Sequence, residues 1–182
     1  MQHRDSDIDL VSLVRTIPDY PKPGILFRDI TTLIQDGTGF RHVTDQIAAR
    51  YQTRQLDKVA GVEARGLIFG ATVAAFLGVG FVPVRKAGKL PHETVSETYA
   101  LEYGTDTLEV HRDAIDAGER VLLVDDLLAT GGTAVAAANL VRRLGGVLEE
   151  FAVVIELTGL PGRQRLLDAG IPIHALLTMS DS

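Results

Sequence analysis

The chain of 182 residues contains no cysteine. That absence excludes disulfides and thiolate metal sites, and it fits a cytoplasmic setting. Proline is sparse, with seven residues, too few for a disordered linker. No apolar run approaches the roughly 20 residues of a membrane span, and residues 1–7 lack the apolar core of a signal peptide. The five histidines show no metal-ligand spacing. There is no Walker A loop, since Gly88-Lys89 is followed by Leu90 and lacks the leading glycine, and no dinucleotide fingerprint. A net charge of −6 argues against nucleic-acid or acidic-membrane partners. Within that acidic average, residues 64–92 hold Arg65, Arg85, Lys86 and Lys89 and not one Asp or Glu. A local basic patch on an acidic chain suggests a small anionic ligand.

What is present points to one globular domain spanning residues 1–182, with 46% hydrophobic residues and no internal repeat. Residues 7–15 are expected to form a short amphipathic helix, followed by a rigid turn at 18–24. Helices are expected at 40–50, 66–77, 133–144 and 162–168, and strands at 58–62, 81–84, 121–124, 151–155 and 174–177. Period-2 alternation at 99–103 and 108–110 predicts an antiparallel hairpin around Gly104-Thr-Asp106. Apolar runs separated by helices favour an α/β fold with a mostly parallel sheet covered on both faces.

The most informative stretch runs from Val121 to Thr133. Four apolar residues are expected to end in Asp125 and Asp126, at the carboxyl edge of the sheet where open α/β folds bind ligands. Carboxylates there can accept from a ribose diol or act on Mg²⁺; a solvated strand end and a receiver-like acidic pocket are the alternatives. The following Ala129, Thr130, Gly131, Gly132 and Thr133 combine inward-facing amides, two hydroxyls and a helix start, a cradle for a monophosphate.

This segment resembles the phosphoribosyl-diphosphate motif of type I phosphoribosyltransferases. The stretches around Phe27-Arg28-Asp29, Glu63-Ala64-Arg65-Gly66, Arg85-Lys86-Ala-Gly88-Lys89, Leu101-Glu102-Tyr103-Gly104 and Glu156-Leu157-Thr158 are similar, in order, to the adenine-specific branch of that family. Thr32 and Leu67 stand where many members carry proline and phenylalanine.

The resemblance implies a type I phosphoribosyltransferase fold with a small hood at about residues 1–35 and a flexible lid hairpin at about 85–112. It implies transfer of the phosphoribosyl group from phosphoribosyl diphosphate to N9 of adenine, giving AMP and pyrophosphate, in a homodimer using Mg²⁺ held mainly through ligand and water. Asp125 and Asp126 then take the ribose, and residues 129–133 the 5′-phosphate. Glu63, Ala64, Arg65, Arg85, Lys86 and Lys89 attend the pyrophosphate, with Glu63–Ala64 a candidate for a cis peptide. Leu26, Phe27, Arg28 and Leu157 surround adenine. Glu102 and Arg65 are the catalytic candidates, Glu102 receiving or stabilising the N9 proton, while Tyr103 supports the lid. Without the resemblance, Phe27 reads as ordinary core packing and Glu102 as an exposed strand glutamate, Arg65 has a surface ion pair as its alternative, and the 85–104 stretch reads equally as a solvated loop. A transferase for another base and a non-catalytic phosphoribosyl-diphosphate sensor are the competing readings.

Overall fold

The computed structural model describes residues 8–101 and 104–181. In chain order the elements are β1 (Arg15–Pro18), β2 (Leu26–Asp29), α1 (Thr31–Gln35), α2 (Gly37–Tyr51), β3 (Lys58–Val62), α3 (Gly66–Leu77), β4 (Gly80–Lys86), β5 (Thr94–Ala100), β6 (Thr105–His111), β7 (Arg120–Leu128), α4 (Gly132–Arg143), β8 (Val147–Thr158), α5 (Gly162–Asp168) and β9 (Ile173–Ser180). Seven strands form one sheet in the order β5-β6-β4-β3-β7-β8-β9, and β1-β2 form a separate antiparallel ribbon. Strands β3, β4, β7, β8 and β9 run parallel, while β6 is antiparallel to both β4 and β5.

Alternation along the central strands sorts side chains into two cores, as a sheet buried on both faces requires. Val121 and Leu123 of β7 join a core with Ala137, Leu140 and Leu166 from α4 and α5. Leu122 and Val124 point the other way, to Val43, Ile47, Phe69 and Val73 from α2 and α3. Helix α3 lies close on β3 because three glycines meet there. A Cβ on Gly61 would fall 2.6 Å from the Gly66 carbonyl oxygen, and one on Gly70 would fall 3.0 Å from Gly61 Cα.

Three expectations need correction, and two strands flanking the expected turn at 18–24 went unread. The helix expected at 7–15 is not formed over residues 8–14, which make tight turns, with Leu13 N–H donating to Leu10 and Val14 N–H to Val11. Asp9 accepts from the amides of Val11 and Ser12, and Thr32 Oγ1 from that of Arg15, so side chains take the amides a helix would have used. The turn region near Pro18 leads out of one strand and into another, β1 and β2, too short and half-exposed to show alternation. The strand expected to stop at Val124 continues to Leu128, because β8 also runs on and pairs Asp125 with Val153 and Leu127 with Ile155. The hairpin is longer than expected, with β5 beginning at Thr94 and pairing with β6 through His111.

Candidate active site

Asp125 and Asp126 lie within β7, at the level where its neighbour on one side leaves the sheet. β3 pairs with β7 only as far as Gly61 opposite Val124. Beyond that point the chain turns through Glu63, Ala64 and Arg65 into α3, so the acids face a loop and a helix start. Gly66 permits this approach, since a Cβ there would lie 2.6 Å from Asp125 Oδ1 and 2.9 Å from the Val124 carbonyl oxygen. The two acids are 9% and 5% exposed. Asp125 Oδ1 accepts the Asp126 N–H at 2.8 Å, and Asp126 Oδ2 accepts from Arg65 Nε at 2.5 Å. Burial pushes the Asp125 carboxyl well above the usual carboxylate range, and the neighbouring Asp126 charge adds to the effect.

The loop after β7 is shaped by what lies under it. Gly131 takes φ 80° to cap α4, and a Cβ there would come within 3.0 Å of the Gly162 carbonyl oxygen and of Leu166. Gly162 in turn leaves no room for a side chain, because its Cβ would sit 2.2 Å from the Ala129 carbonyl oxygen. Helix α5 is therefore the floor of the loop. The loop and the acids enclose a cavity of about 250 Å³, walled also by Glu63, Ala64, Arg65 and Lys86. Ala129, Thr130, Gly131 and Thr133 line it; Gly132 faces an adjoining space shared with Tyr99, Ala100 and Arg165.

The basic residues divide. Arg85 makes two hydrogen bonds to the Glu63 carboxylate, at 3.2 and 3.0 Å, and the Lys86 amide donates to it at 2.8 Å, so Glu63 is held below the usual carboxylate range, chiefly by Arg85. Neither Arg85 nor Lys89 lines the 250 Å³ cavity; Arg85 instead also donates to the Lys89 carbonyl at 3.4 Å. Lys86 does line the cavity, and its ammonium pairs with Asp106 and approaches the Tyr99 hydroxyl at 3.3 Å. The Glu63–Ala64 peptide is cis.

Leu26, Phe27, Arg28 and Leu157 all line a second cavity of about 430 Å³. Tyr20 packs edge-on against Phe27, with ring centroids 5.2 Å apart, and the Arg65 guanidinium sits 5.8 Å from the Phe27 centroid. Arg28 donates to Thr16 Oγ1 and to the Ser180 carbonyl, each at 2.5 Å, which binds the β1–β2 ribbon to the end of β9. The two cavities share a wall made of Arg65, Leu127, Ala129 and Thr130. Glu102 and Tyr103 lie outside the described residues.

Several site residues escaped the sequence reading. Tyr99 contacts Lys86, Asp106 and Thr133 through its hydroxyl; its place in an alternating strand gave its face but not its partner. Leu127 was hidden by the expected strand end. Gly24 and Ile25 line the larger cavity from the segment that leads into Phe27, and Leu160 and Asp181 line it with no local motif to announce them.

Comparison with known proteins agrees with this geometry. The phosphoribosyl transferase domain family matches residues 31–164. An adenine phosphoribosyltransferase of Acaryochloris marina is 60% identical over 164 residues, covering 90% of this chain and 96% of the relative. A crystal structure of adenine phosphoribosyltransferase from Thermoanaerobacter pseudethanolicus superimposes with a TM-score of 0.89 at 50% identity, covering 93% of this chain and 98% of that one. The Saccharomyces cerevisiae enzyme, solved with an imino-altritol bisphosphate and adenine, gives a TM-score of 0.86 at 42% identity, over 92% and 96% of the two chains. With a type I phosphoribosyltransferase sheet, an acidic pair above a glycine loop and an adjoining apolar cavity, the chain belongs to the adenine phosphoribosyltransferase family of pentosyltransferases.

Proposed function

We propose that the two cavities form one active site that transfers the 5-phosphoribosyl group of phosphoribosyl diphosphate to N9 of adenine, releasing AMP and pyrophosphate. The observation that carries this reading is the wall the cavities share at Arg65, Leu127, Ala129 and Thr130. A nucleotide bound across that wall has its ribose phosphate on one side and its base on the other.

In this arrangement Asp126 and Asp125 accept from the ribose hydroxyls, and the amides and hydroxyls of residues 129–133 surround the 5′-phosphate at the start of α4. Ala64, Arg65 and Lys86 face the pyrophosphate, and the Lys86 ammonium leaves Asp106 to meet it. Arg85 and Lys89 act on that group from outside the cavity, through Glu63 and the preceding loop. Adenine lies against Phe27, Leu26 and Leu157, with Arg28 bracing the rim. The N9–C1′ bond forms as the C1′–oxygen bond to pyrophosphate breaks, and the N9 proton departs. Glu102, carried by the hairpin that closes as a lid, is its proposed acceptor, and Tyr103 steadies the lid.

Mg²⁺ suits this site as a companion of the diphosphate. Among the described residues no group of three His, Asp or Glu could hold a metal ion, and Asp126 is already engaged by Arg65. Diphosphate and water oxygens supply most of the set that Mg²⁺ requires. When bound, the ion neutralises charge on the leaving group.

The surface of α3 supports a homodimer: its twelve residues include no charged side chain and leave Phe76 51% and Ile68 41% exposed. No helix among the described residues is long and apolar enough to cross a membrane, and the cysteine-free composition favours the cytoplasm. The test is turnover of a panel of bases by the purified protein with Mg²⁺ and phosphoribosyl diphosphate. Adenine is expected to give AMP while guanine, hypoxanthine and orotate give little. Better turnover of another base overturns the specificity, and tight ligand binding without turnover favours a sensor.

A further inference from the structure

Three charged side chains line the larger cavity: Arg28, Arg65 and Asp181. Arg65 is engaged by Asp126, and Arg28 by Thr16 and the Ser180 carbonyl. Asp181 makes no hydrogen bond or ion pair among the described residues, so a carboxylate with unfilled acceptor capacity faces a largely apolar cavity. An acceptor left in that state favours a ligand that brings donors.

Its position is built. β9 pairs with β8 up to Ser180 opposite Thr158, and Thr158 Oγ1 donates to the Met179 carbonyl at 3.2 Å. Arg28 grips the Ser180 carbonyl from the ribbon side. Gly159, at φ 96°, supplies the floor: a Cβ there would lie 2.4 Å from Asp181 Oδ1. A side chain at position 159 would displace the carboxylate.

The shared wall orients the base. N9 must face Arg65, Leu127, Ala129 and Thr130, where the ribose enters, which turns the opposite end of the purine, bearing position 6, towards the remaining walls. Asp181 belongs to those walls and not to the shared one. Adenine carries an amine with two protons at position 6; hypoxanthine and guanine carry a carbonyl oxygen whose lone pairs a carboxylate repels.

We infer that Asp181 is a specificity-determining residue whose carboxylate accepts a hydrogen bond from the 6-amino group of adenine and disfavours 6-oxopurines. The inference rests on the base assignment proposed above. It is tested by kcat/KM for adenine, for purine (which lacks the amine) and for hypoxanthine, at saturating phosphoribosyl diphosphate, in the parent, Asp181→Ala and Asp181→Asn. In Asp181→Ala the preference for adenine over purine is expected to shrink about ten- to hundredfold, the worth of a hydrogen bond to a charged group, while purine itself reacts as in the parent. Asp181→Asn keeps an acceptor and gains a donor, so it should retain part of that preference and improve on hypoxanthine. An unchanged adenine-to-purine ratio, or an equal loss on both bases, overturns the inference and leaves the adenine reaction standing. A parent enzyme that does not use adenine overturns the base assignment itself.

Discussion

Arg65 Nε donates to Asp126 Oδ2 across 2.5 Å, while the same guanidinium sits 5.8 Å from the centre of the Phe27 ring. One side chain thus touches the acidic pair and the apolar cavity. Replacing it with lysine keeps a charge but loses both the directed Nε–H and the flat face. Arg65→Lys is expected to lower kcat/KM about 10²-fold, the scale of losing one placed donor, measured by steady-state AMP formation. An unchanged rate would remove Arg65 from the catalytic list.

The buried Asp125 gives a pH signature. Its pKa is raised on folding, chiefly by burial and further by Asp126. The folded protein therefore holds this proton at pH values where the unfolded chain, ionising near 3.8, has lost it. By linkage, this group's favourable contribution is present at low pH and declines as pH rises from about 3.8 towards its folded pKa. Asp125→Asn can keep accepting the Asp126 N–H but does not titrate. Denaturant melts of the two proteins at a series of pH values above 3.8 should show the variant gaining stability relative to the parent as pH rises. A difference that does not vary with pH would mean that Asp125 is not perturbed. The same variant, combined with Asp126→Asn, is expected to weaken phosphoribosyl-diphosphate binding, read by calorimetry.

Tyr99 joins the hairpin to the phosphate loop. Its hydroxyl meets Thr133 Oγ1 at 3.3 Å and Asp106 at 3.2 Å. Tyr99→Phe keeps the ring and removes those links, at about 1 kcal/mol for each hydrogen bond lost. Amide hydrogen exchange across β5 and β6 should quicken while that of β7 and β8 stays as it was. Equal protection in both proteins would show that the hydroxyl does not hold the hairpin down.

The floor beneath the loop can be raised by one methyl group. Gly162→Ala puts a Cβ 2.2 Å from the Ala129 carbonyl oxygen, so loop or helix must move. A destabilisation of about 1–3 kcal/mol is expected from overpacking, together with a raised KM for phosphoribosyl diphosphate. A variant with the parent's melting curve and KM would mean that α5 does not position the loop.

How much of this was readable in the chain depends on how local the cause is. Helix α3 and strand β3 were expected at their observed bounds, because Gly66 starts and Gly78 stops an unbroken apolar run and the strand is an apolar block between turns. The 125–133 segment was readable for the same reason: acids, glycines and hydroxyls stand side by side in sequence. The extension of β7 through Leu128 was not, because it depends on β8, whose partners lie about 28 residues further on. The 8–15 segment misled because its amphipathic pattern competes with Asp9 and Thr32 for the backbone amides. Arg85 was assigned to the pyrophosphate through the family resemblance; its pairing with Glu63 is a tertiary outcome that no local pattern announces. Asp181 had no signal at all, since only the register of β9 on β8 brings it to the cavity.

The division of labour between the two cavities is tested most directly by a crystal structure of the protein with AMP and pyrophosphate. The adenine ring is expected against Phe27 and Leu157 with its 6-amino group towards Asp181, the ribose over Asp126, and the 5′-phosphate within residues 129–133. Adenine found in the space between Tyr99 and Arg165, or a phosphate seated away from the 129–133 loop, would contradict it.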